Sequence, residues 1–217
     1  METQKTESNK TRERILLVAC EVFAKGGFRT TTTRDICRQA SVNVAAVNYH
    51  FGSKEKLYEA VCKKACGHSE SRPEPTFILS KAAKPEEKLR DFIRTFLNML
   101  LGQDQSAWKG MIMGREINEP TNALDIIIKD MIRPRFTQLY AIVQDLLGSD
   151  AEDELVRRCC LSITGQCLYY RFARPVIIKL NPHQKFDTGG IKKLADHITR
   201  FSLSALKQFA HENSKKE

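Results

Sequence analysis

Residues Thr32–Lys54 read TTRDICRQASVNVAAVNYHFGSK, and this stretch decides the fold of the N-terminal part of the chain. It contains two short helical patterns, at about 33–40 and 43–49, which a tight turn separates. No acidic residue occurs between Asp35 and Glu55. Because a surface without carboxylates can approach a polyanion, the stretch indicates a helix-turn-helix that binds nucleic acid.

Helical patterns continue on both sides of this motif. A first helix is predicted at about 9–25 and a fourth at about 54–69. Thr32 is expected to cap the second helix, with Asp35 completing a capping box. Later helices are predicted at about 85–102, 105–117, 121–147 with a kink at Pro134, 151–174 and 188–212. The fold class is therefore all-α, with an N-terminal helix-turn-helix domain of three helices joined to a C-terminal helical bundle.

The composition is that of a globular protein with a basic surface. The 217 residues are 41% hydrophobic and 28% charged, with a net charge of +9, which favours an acidic partner such as nucleic acid. No apolar run reaches the roughly 18–20 residues of a membrane span, and the first residues are polar, so a cytoplasmic protein is expected. Seven cysteines, an odd number, favour reduced and buried thiols.

Three regions are expected along the chain. Residues 1–10 form a flexible N-terminal arm, 11–69 the helix-turn-helix domain, and 70–217 the C-terminal helical domain. The reading motif lies at about 32–51. A stretch rich in Ser, Pro, Glu and Lys, Gly67–Pro85, is interpreted as the linker.

The residue types of the third helix suit the major groove of DNA. An asparagine reads adenine through its N6 and N7 edges, and alanine methyl groups contact the thymine methyl. Tyr49 and His50 carry polar tips for phosphates or bases. Thr33 and Arg34 begin the second helix and Lys54 begins the fourth, where helix N-termini favour phosphate. On the reading helix the candidates from residue type are Asn43, Ala45, Ala46, Asn48, Tyr49 and His50.

The segment TTTRDICRQASVNVAAVNYHFGSKEKLYEAV resembles the DNA-binding segment of the TetR family of bacterial one-component regulators. Over about residues 11–62 it matches the family pattern of helix 1, a T-x-x-I-A element, a turn, and Y-x-H-F followed by a small polar residue, Lys and Leu. Asn48 stands where many members carry Tyr, and Cys37 where Ala is usual. The resemblance adds Val44 to the reading helix. The expected DNA contacts are Thr33, Arg34, Asn43, Val44, Ala45, Ala46, Asn48, Tyr49, His50 and Lys54.

The resemblance implies a repressor that binds a near-palindromic operator in double-stranded DNA as a homodimer. It makes residues 11–69 the DNA-binding domain and 70–217 the effector-binding and dimerisation domain. A small-molecule effector, not identified by the sequence, would enter the C-terminal domain and release the DNA. The dimer would form through the last two long helices, each of which carries an apolar stripe. The stripe of the first comprises Leu155, Cys159, Ile163, Gly165, Cys167 and Tyr170, and that of the second comprises Leu194, Ile198, Phe201, Leu206 and Phe209. Ordinary intramolecular core is the alternative interpretation of these stripes.

The segments 114–125 and 131–140 resemble the C-terminal domain of CecR-like members. Arg115 and Glu116 lie in an otherwise apolar segment, where they either line an effector pocket or form an ion pair at a helix end. The expected pocket residues are Phe96, Ile112, Arg115, Glu116, Arg133, Phe136, Gln166 and Tyr170.

Other functions have little support in the sequence. No nucleotide-binding, hydrolase or zinc-protease motif is present, so no enzyme, cofactor or metal site is expected. The alternative to a regulator is a helical ligand-binding or scaffolding dimer without DNA function. The intact set of Tyr49, His50 and Lys54 argues against that alternative.

Overall fold

The computed structural model of the protein describes residues 2–67, Phe77, 84–102 and 107–213. Most of the predicted linker Gly67–Pro85 lies outside these residues. Eleven α-helices, one π-helix and no β-strand occur among the described residues, which confirms the all-α prediction. The helices are α1 Glu2–Gly26, α2 Thr33–Ala40, α3 Val44–Phe51, α4 Lys54–Ala65, α5 Pro85–Leu101, α6 Ala107–Asn118, α7 Leu124–Ile127, α8 Arg133–Leu147, α9 Asp153–Phe172, α10 Arg174–Leu180 and α11 Thr188–Asn213.

The chain separates into two compact units. The N-terminal unit consists of residues 1–75 and 105–133, and the C-terminal unit of 76–104 and 134–217. The sequence analysis assigned all of 70–217 to one domain, whereas α6 packs against α1 and α4. The reason is that α6 and α7 contribute buried apolar side chains, Ile112 and Ile127, to the N-terminal core.

Helix α1 begins at Glu2 and continues without interruption to Gly26, so the segment expected to be a flexible arm is helical from residue 2. Residues 2–25 contain neither Gly nor Pro, the two residues that most oppose a helix. The helix ends where Gly27 adopts a φ of 81°, a left-handed conformation that favours glycine.

Helices α2 and α3 form the predicted helix-turn-helix. The capping box is present, since the Asp35 N–H donates to Thr32 Oγ1 at 3.2 Å and the Thr32 N–H donates to Asp35 Oδ2 at 3.1 Å. Ser41 ends α2 in a left-handed conformation with φ 52°. These local bonds fix both ends of α2 and therefore the direction in which the chain enters α3.

The core of the N-terminal unit is built around aromatic rings from three parts of the chain. Phe23 and Tyr58 meet edge to face with their ring centroids 4.9 Å apart, and Phe28 lies 5.0 Å from Tyr58. Ile15, Ile36 and Leu57 are completely buried beside them. Burying each such side chain contributes roughly 1.5–3 kcal/mol, so this cluster holds α1, α2 and α4 together.

A π-helical segment, Ile128–Ile132, lies at the predicted site of helix distortion. The Arg133 N–H bonds to the Ile128 carbonyl, five residues earlier, directly before Pro134. Proline has no N–H and its ring crowds the preceding turn of a regular helix. The wider π turn relieves that conflict and joins α7 to α8.

The C-terminal unit packs α5, α8, α9 and α11 around one apolar core. Several side chains assigned to the dimer stripe are buried within the single chain: Cys159, Ile163, Cys167, Leu194, Ile198 and Leu206. The assignment of these residues to an interface was wrong, because they fill the intramolecular core. The exposed apolar side chains of the same helices include Leu161 (62% exposed), Tyr169, Phe172 and Phe201 (61% exposed).

The seven cysteines are all buried, as the sequence analysis expected. Burial raises the pKa of Cys20, Cys160 and Cys167 to about 12. Thiols in this state are poor nucleophiles. Across the described residues, no helix is both long enough and apolar enough to cross a bilayer.

Candidate nucleic-acid interface

Helix α3 is held so that one face enters the core and the opposite face meets solvent. Val47 is completely buried and Phe51 nearly so, which anchors the helix against α1, α2 and α4. At its start, Asn43 Oδ1 accepts a hydrogen bond from the Ala46 N–H at 2.8 Å. At its end, Gly52 has a φ of 82°. The helix is therefore short and capped at both ends.

The predicted reading residues share the outer face of α3. Tyr49 is 81% exposed, and its ring lies edge to face with His50 at 5.0 Å between centroids. Asn43, Val44, Ala45 and Asn48 are exposed, and Ala46 and His50 are half-buried. The amide oxygen of Asn43 already caps the helix, so only its NH₂ group remains for a base. Among the described residues, the side chain of Asn48 has no protein partner and is available on both its O and N atoms.

The start of α2 presents Thr33, half-buried, and Arg34, exposed. Asp35 lies beside them, and its carboxylate also accepts from Arg38 Nη2 at 3.0 Å. Hydrogen bonds from the Thr32 hydroxyl and N–H hold the pKa of Asp35 below its ordinary value. The Asp35 carboxylate is thus hydrogen-bonded by Thr32 and paired with Arg38, while Arg34 has no acidic partner among the described residues and is available for a phosphate.

Lys54 has a different position from the one expected of a free phosphate clamp. Its Nζ donates to the Phe28 and Thr31 carbonyls, each at 3.1 Å, and lies 4.3 Å from the centre of the Phe28 ring. The ammonium has three donors, so one remains for an external anion. Lys54 therefore braces the loop between α1 and α2 in addition to any contact with DNA.

Arg12 is a basic residue near the interface that the sequence analysis missed. Its guanidinium lies over the Phe51 ring, 5.1 Å from the centroid, at the end of α3. Arg12 is exposed and belongs to the acid-containing helix α1, where sequence periodicity gave no reason to single it out. Only the packing of α1 against α3 brings this cation to the edge of the reading helix.

Arg115 and Glu116 are adjacent in sequence but bond to different parts of the N-terminal unit. Arg115 Nε donates to the Ala24 carbonyl at 3.0 Å and Nη2 donates to the Lys25 carbonyl at 2.6 Å. These are carbonyls of the last turn of α1, where a cation also interacts favourably with the helix dipole. A Cβ at Gly27 would lie 3.0 Å from Arg115 Nη1, so glycine leaves room for this cap.

Glu116 is 1% exposed and joins α4 to α6. Its Oε1 accepts from the Tyr58 hydroxyl at 2.8 Å, and its Oε2 accepts from the Thr121 N–H at 3.0 Å. Burial, followed by the neighbouring Cys62 and Glu116, raises the pKa of Tyr58 above its ordinary range, so the phenol remains a donor. Arg115 and Glu116 therefore neither pair with each other nor line an effector pocket. Both side chains bond to groups inside the N-terminal unit.

The remaining predicted pocket residues fall in both units. Ile112 is buried in the N-terminal core, and Arg133 is exposed at the end of that unit. In the C-terminal unit, Phe96, Phe136 and Tyr170 are partly buried against the core. The half-buried Gln166 donates to the Ser162 carbonyl at 3.3 Å. The set therefore divides between the two units, and the pocket itself stays a prediction.

Two family models match the chain. Residues 15–61 match the model of bacterial regulatory proteins of the TetR family. Residues 85–206, more than half of the chain, match the C-terminal domain of the transcriptional dual regulator CecR. The two matches together include α2 to α4 and most of the C-terminal helices.

Individual relatives agree with the family models. The transcriptional dual regulator CecR of Shigella flexneri is 28% identical over 189 residues, which are 83% of this chain and 84% of that protein. The transcriptional repressor NicS of Pseudomonas putida is 35% identical over 98 residues, 43% of this chain and 45% of that protein.

Solved structures show the same fold at lower sequence identity. HlyIIR, a hemolysin II transcriptional regulator, superposes with a TM-score of 0.59 at 23% identity, covering 88% of this chain and 98% of that chain. A TetR-family protein from Mesorhizobium loti superposes with a TM-score of 0.61 at 17% identity, covering 91% of this chain and 97% of that chain. From the match over residues 15–61 and the match over 85–206, the chain belongs to the TetR family of DNA-binding transcriptional regulators, with a C-terminal domain of the CecR type.

Proposed function

We propose that the protein is a repressor that binds a near-palindromic operator through the outer face of α3. The observation that carries the proposal is the exposed, acid-free face around Asn48 and Tyr49, held between the capped starts of α2 and α4. Asn48 would read a base edge, and Ala45 and Ala46 would contact thymine methyl groups. Val44 and Tyr49 would pack against the groove.

The phosphate contacts would surround this reading face. Arg34 and Thr33 lie at the start of α2, where N–H groups and the helix dipole favour an anion. Lys54 would use its third donor, and His50 and the Asn43 NH₂ group would reach phosphates or bases. These contacts position the protein and make its affinity depend on salt.

The regulator would act as a homodimer through α9 and α11. The support is the apolar surface that these helices leave exposed, which includes Leu161, Tyr169, Phe172 and Phe201. Large exposed apolar patches mark interaction sites, and a two-fold dimer makes the same patch on each copy self-complementary. Two reading helices would then enter successive major grooves about 34–36 Å apart, so the operator would be near-palindromic.

Release of DNA would follow binding of a small-molecule effector in the C-terminal domain. Four members of the predicted pocket lie partly buried on helices that surround the core of the C-terminal unit: Phe96, Phe136, Gln166 and Tyr170. An effector shifts the population only by its differential affinity for the DNA-binding and released states. A cytoplasmic location fits this function.

The test is a gel shift with purified protein on the DNA upstream of its own gene. We expect retardation at low salt that weakens as salt rises, and a protected site with two-fold symmetry. A scrambled fragment of equal length is the control. Absence of any retardation at low salt contradicts the proposal and favours a helical ligand-binding or scaffolding dimer.

Repression rather than activation is tested separately with a reporter gene under the same upstream DNA. We expect expression to rise when the regulator gene is deleted and to fall when it is restored. The relatives include a named repressor, NicS, and a named dual regulator, CecR. If expression falls when the regulator gene is deleted and rises when it is restored, the protein is an activator at this promoter.

A further inference from the structure

A groove in the C-terminal unit is lined by basic side chains from α5 and α11. Its volume is about 540 Å³, which falls in the range of small-molecule sites. Its charged lining comprises Arg90, Lys193, Asp196, Arg200 and Lys207, with the imidazole of His197 among them. Both helices belong to one compact unit and pack closely against each other, so the groove is a fixed feature of that unit.

The cations on α11 form a row. Lys193, Arg200 and Lys207 are separated by seven residues each, which places them on one face of the helix. At 1.5 Å per residue the row is about 21 Å long. Arg90 adds a fourth cation from α5, and Asp196 is the single carboxylate in the lining. The lining therefore carries four permanent positive charges and one negative charge.

Among the described residues, these four cations differ from Arg94 and Arg157 in having no acidic partner. Arg157 pairs with Asp153 at 2.6 Å, and Arg94 pairs with Asp91 at 3.0 Å. Within the described ranges, Arg90, Lys193, Arg200 and Lys207 form no ion pair with any carboxylate. Asp196 precedes Arg200 by four residues, the same spacing as Asp153 and Arg157, yet the two do not pair.

The repulsion between exposed like charges at this spacing is weak at physiological salt, but an anion bound among them is attracted by several cations at once. Neighbouring cations of the row are about 10.5 Å apart along the helix, so one carboxylate or one phosphate would contact one of them, whereas a chain of phosphates can bridge two. Arginine and lysine are the side chains that proteins use for phosphate, the first as a planar fork and the second as a point charge. An extended anion with several phosphate groups is the ligand that meets all of these conditions.

We propose that the groove between α5 and α11 binds a small molecule that carries a chain of phosphate groups. Arg90, Lys193, Arg200 and Lys207 would contact the phosphates, and the half-buried side chain of Leu203 forms an apolar wall beside them. The chain of phosphates is the shared chemistry of two sources, free inorganic polyphosphate and a nucleotide. This site is separate from the DNA-binding face of α3, so it does not depend on the proposed operator or on effector release.

The test uses the full-length protein and sodium tripolyphosphate as the probe. Calorimetric titrations are run at a constant ionic strength of about 0.15 M, so that salt screens the charges equally for every probe. We expect binding of tripolyphosphate, and binding at least about tenfold weaker for orthophosphate, which meets fewer cations. The thermal midpoint of unfolding should rise with tripolyphosphate, since a ligand of the native state stabilises it.

The variant Arg200→Gln with Lys207→Gln removes two charges of the row while retaining good helix formers. We expect its affinity for tripolyphosphate to fall by about tenfold or more. The matched control, Arg157→Gln with Arg158→Gln on α9, removes two exposed charges elsewhere and should bind within about twofold of the native chain. Circular dichroism checks that both variants keep their helix content.

The results separate the two sources and decide the proposal. Tighter binding of ATP than of tripolyphosphate assigns a nucleotide to the groove, and equal or weaker binding of ATP assigns inorganic polyphosphate. Equal losses of affinity for tripolyphosphate in the groove variant and in the control overturn the proposal, because binding would then depend on the net charge of the protein and not on the groove. No measurable binding of either probe to the native chain overturns it as well.

Discussion

Helices α3 and α6 belong to the same compact unit, and both carry polar residues among small and apolar ones. On α3, Asn48 and Tyr49 are exposed, and their side chains form no hydrogen bond to another helix within the described part of the chain. On α6, Arg115 caps the last turn of α1, and Glu116 is buried in a network with α4. The polar side chains of α6 therefore maintain the unit, while those of α3 are left for a partner.

This difference separates two classes of polar residue in a small helical domain, those with a structural role and those available to a ligand. A buried polar group costs free energy unless it is hydrogen-bonded, so its partners identify a structural role. An exposed polar group on a rigid, well-capped helix keeps its bonding capacity for a ligand. Lys54 lies between these cases, because two of its donors are used inside and one remains.

The largest effect is expected from Glu116→Ala. Removal of the carboxyl group leaves the Tyr58 hydroxyl and the Thr121 N–H without their acceptor in a buried site. Unfolding in urea should show a loss of about 2–4 kcal/mol. Glu119→Ala, at an exposed position directly after α6, is the control and should change stability by less than about 0.5 kcal/mol.

A double-mutant cycle with Tyr58→Phe tests whether the bond itself matters. Removal of both partners should cost less than the sum of the single changes, since the hydroxyl no longer needs an acceptor. Strict additivity of the two losses in unfolding free energy would show that Glu116 stabilises the unit without this bond. The polar residues of α6 would then differ less from those of α3.

The second effect is expected from Asn48→Ala, which should impair DNA binding and leave folding intact. Preference for the native base at one operator position should relax by about 1–3 kcal/mol, measured by competition with operator variants. The free energy of unfolding should change by less than about 0.5 kcal/mol. Asn98→Ala, an exposed asparagine of α5, is the matched control. A uniform loss of affinity for every operator variant would remove Asn48 from the base contacts.

The third prediction compares Lys54→Ala with Arg34→Ala. Lys54→Ala should weaken binding to all sequences about equally, and should also destabilise the fold by about 1 kcal/mol because two carbonyl contacts are lost. Arg34→Ala should weaken binding without that loss of stability. Each change should reduce the slope of log affinity against log salt by about 0.9 if the residue contacts one phosphate. An unchanged slope for Lys54→Ala would leave that residue with its structural role alone.

The smallest effect is expected from Thr32→Ala at the start of α2. Loss of the N-cap should cost about 1 kcal/mol of stability, with a smaller effect on DNA affinity. Asp35 has a lowered pKa in the folded chain, so its contribution to stability is present above its ordinary value of 3.8 and is lost as the pH falls below it.

Titration of the Asp35 carboxyl group by NMR checks this prediction. In the native chain its pKa should lie below 3.8, and in Thr32→Ala it should return toward that value because the Thr32 hydroxyl no longer donates to it. An unchanged pKa in the variant would show that the backbone N–H of residue 32 and Arg38 are sufficient to hold the carboxylate.

The sequence by itself determined the helix-turn-helix and its outward face. Local signals were sufficient, since the capping box at Thr32 and Asp35 and the glycines after α1 and α3 act within a few residues of the helices they end. The buried positions Ile36 and Val47 follow from helical spacing. Exposure of Asn48 and Tyr49 follows from the same periodicity, because the opposite face is apolar.

Only the tertiary structure decided what the remaining charged and apolar residues do. Arg115 and Glu116 find their partners about 60 to 90 residues away in sequence, at Tyr58 and at the end of α1, and periodicity contains no information about such pairs. For the same reason the sequence did not separate core from surface on α9 and α11, where both faces carry apolar side chains. Helical spacing tells which residues share a face, and packing alone decides what that face meets.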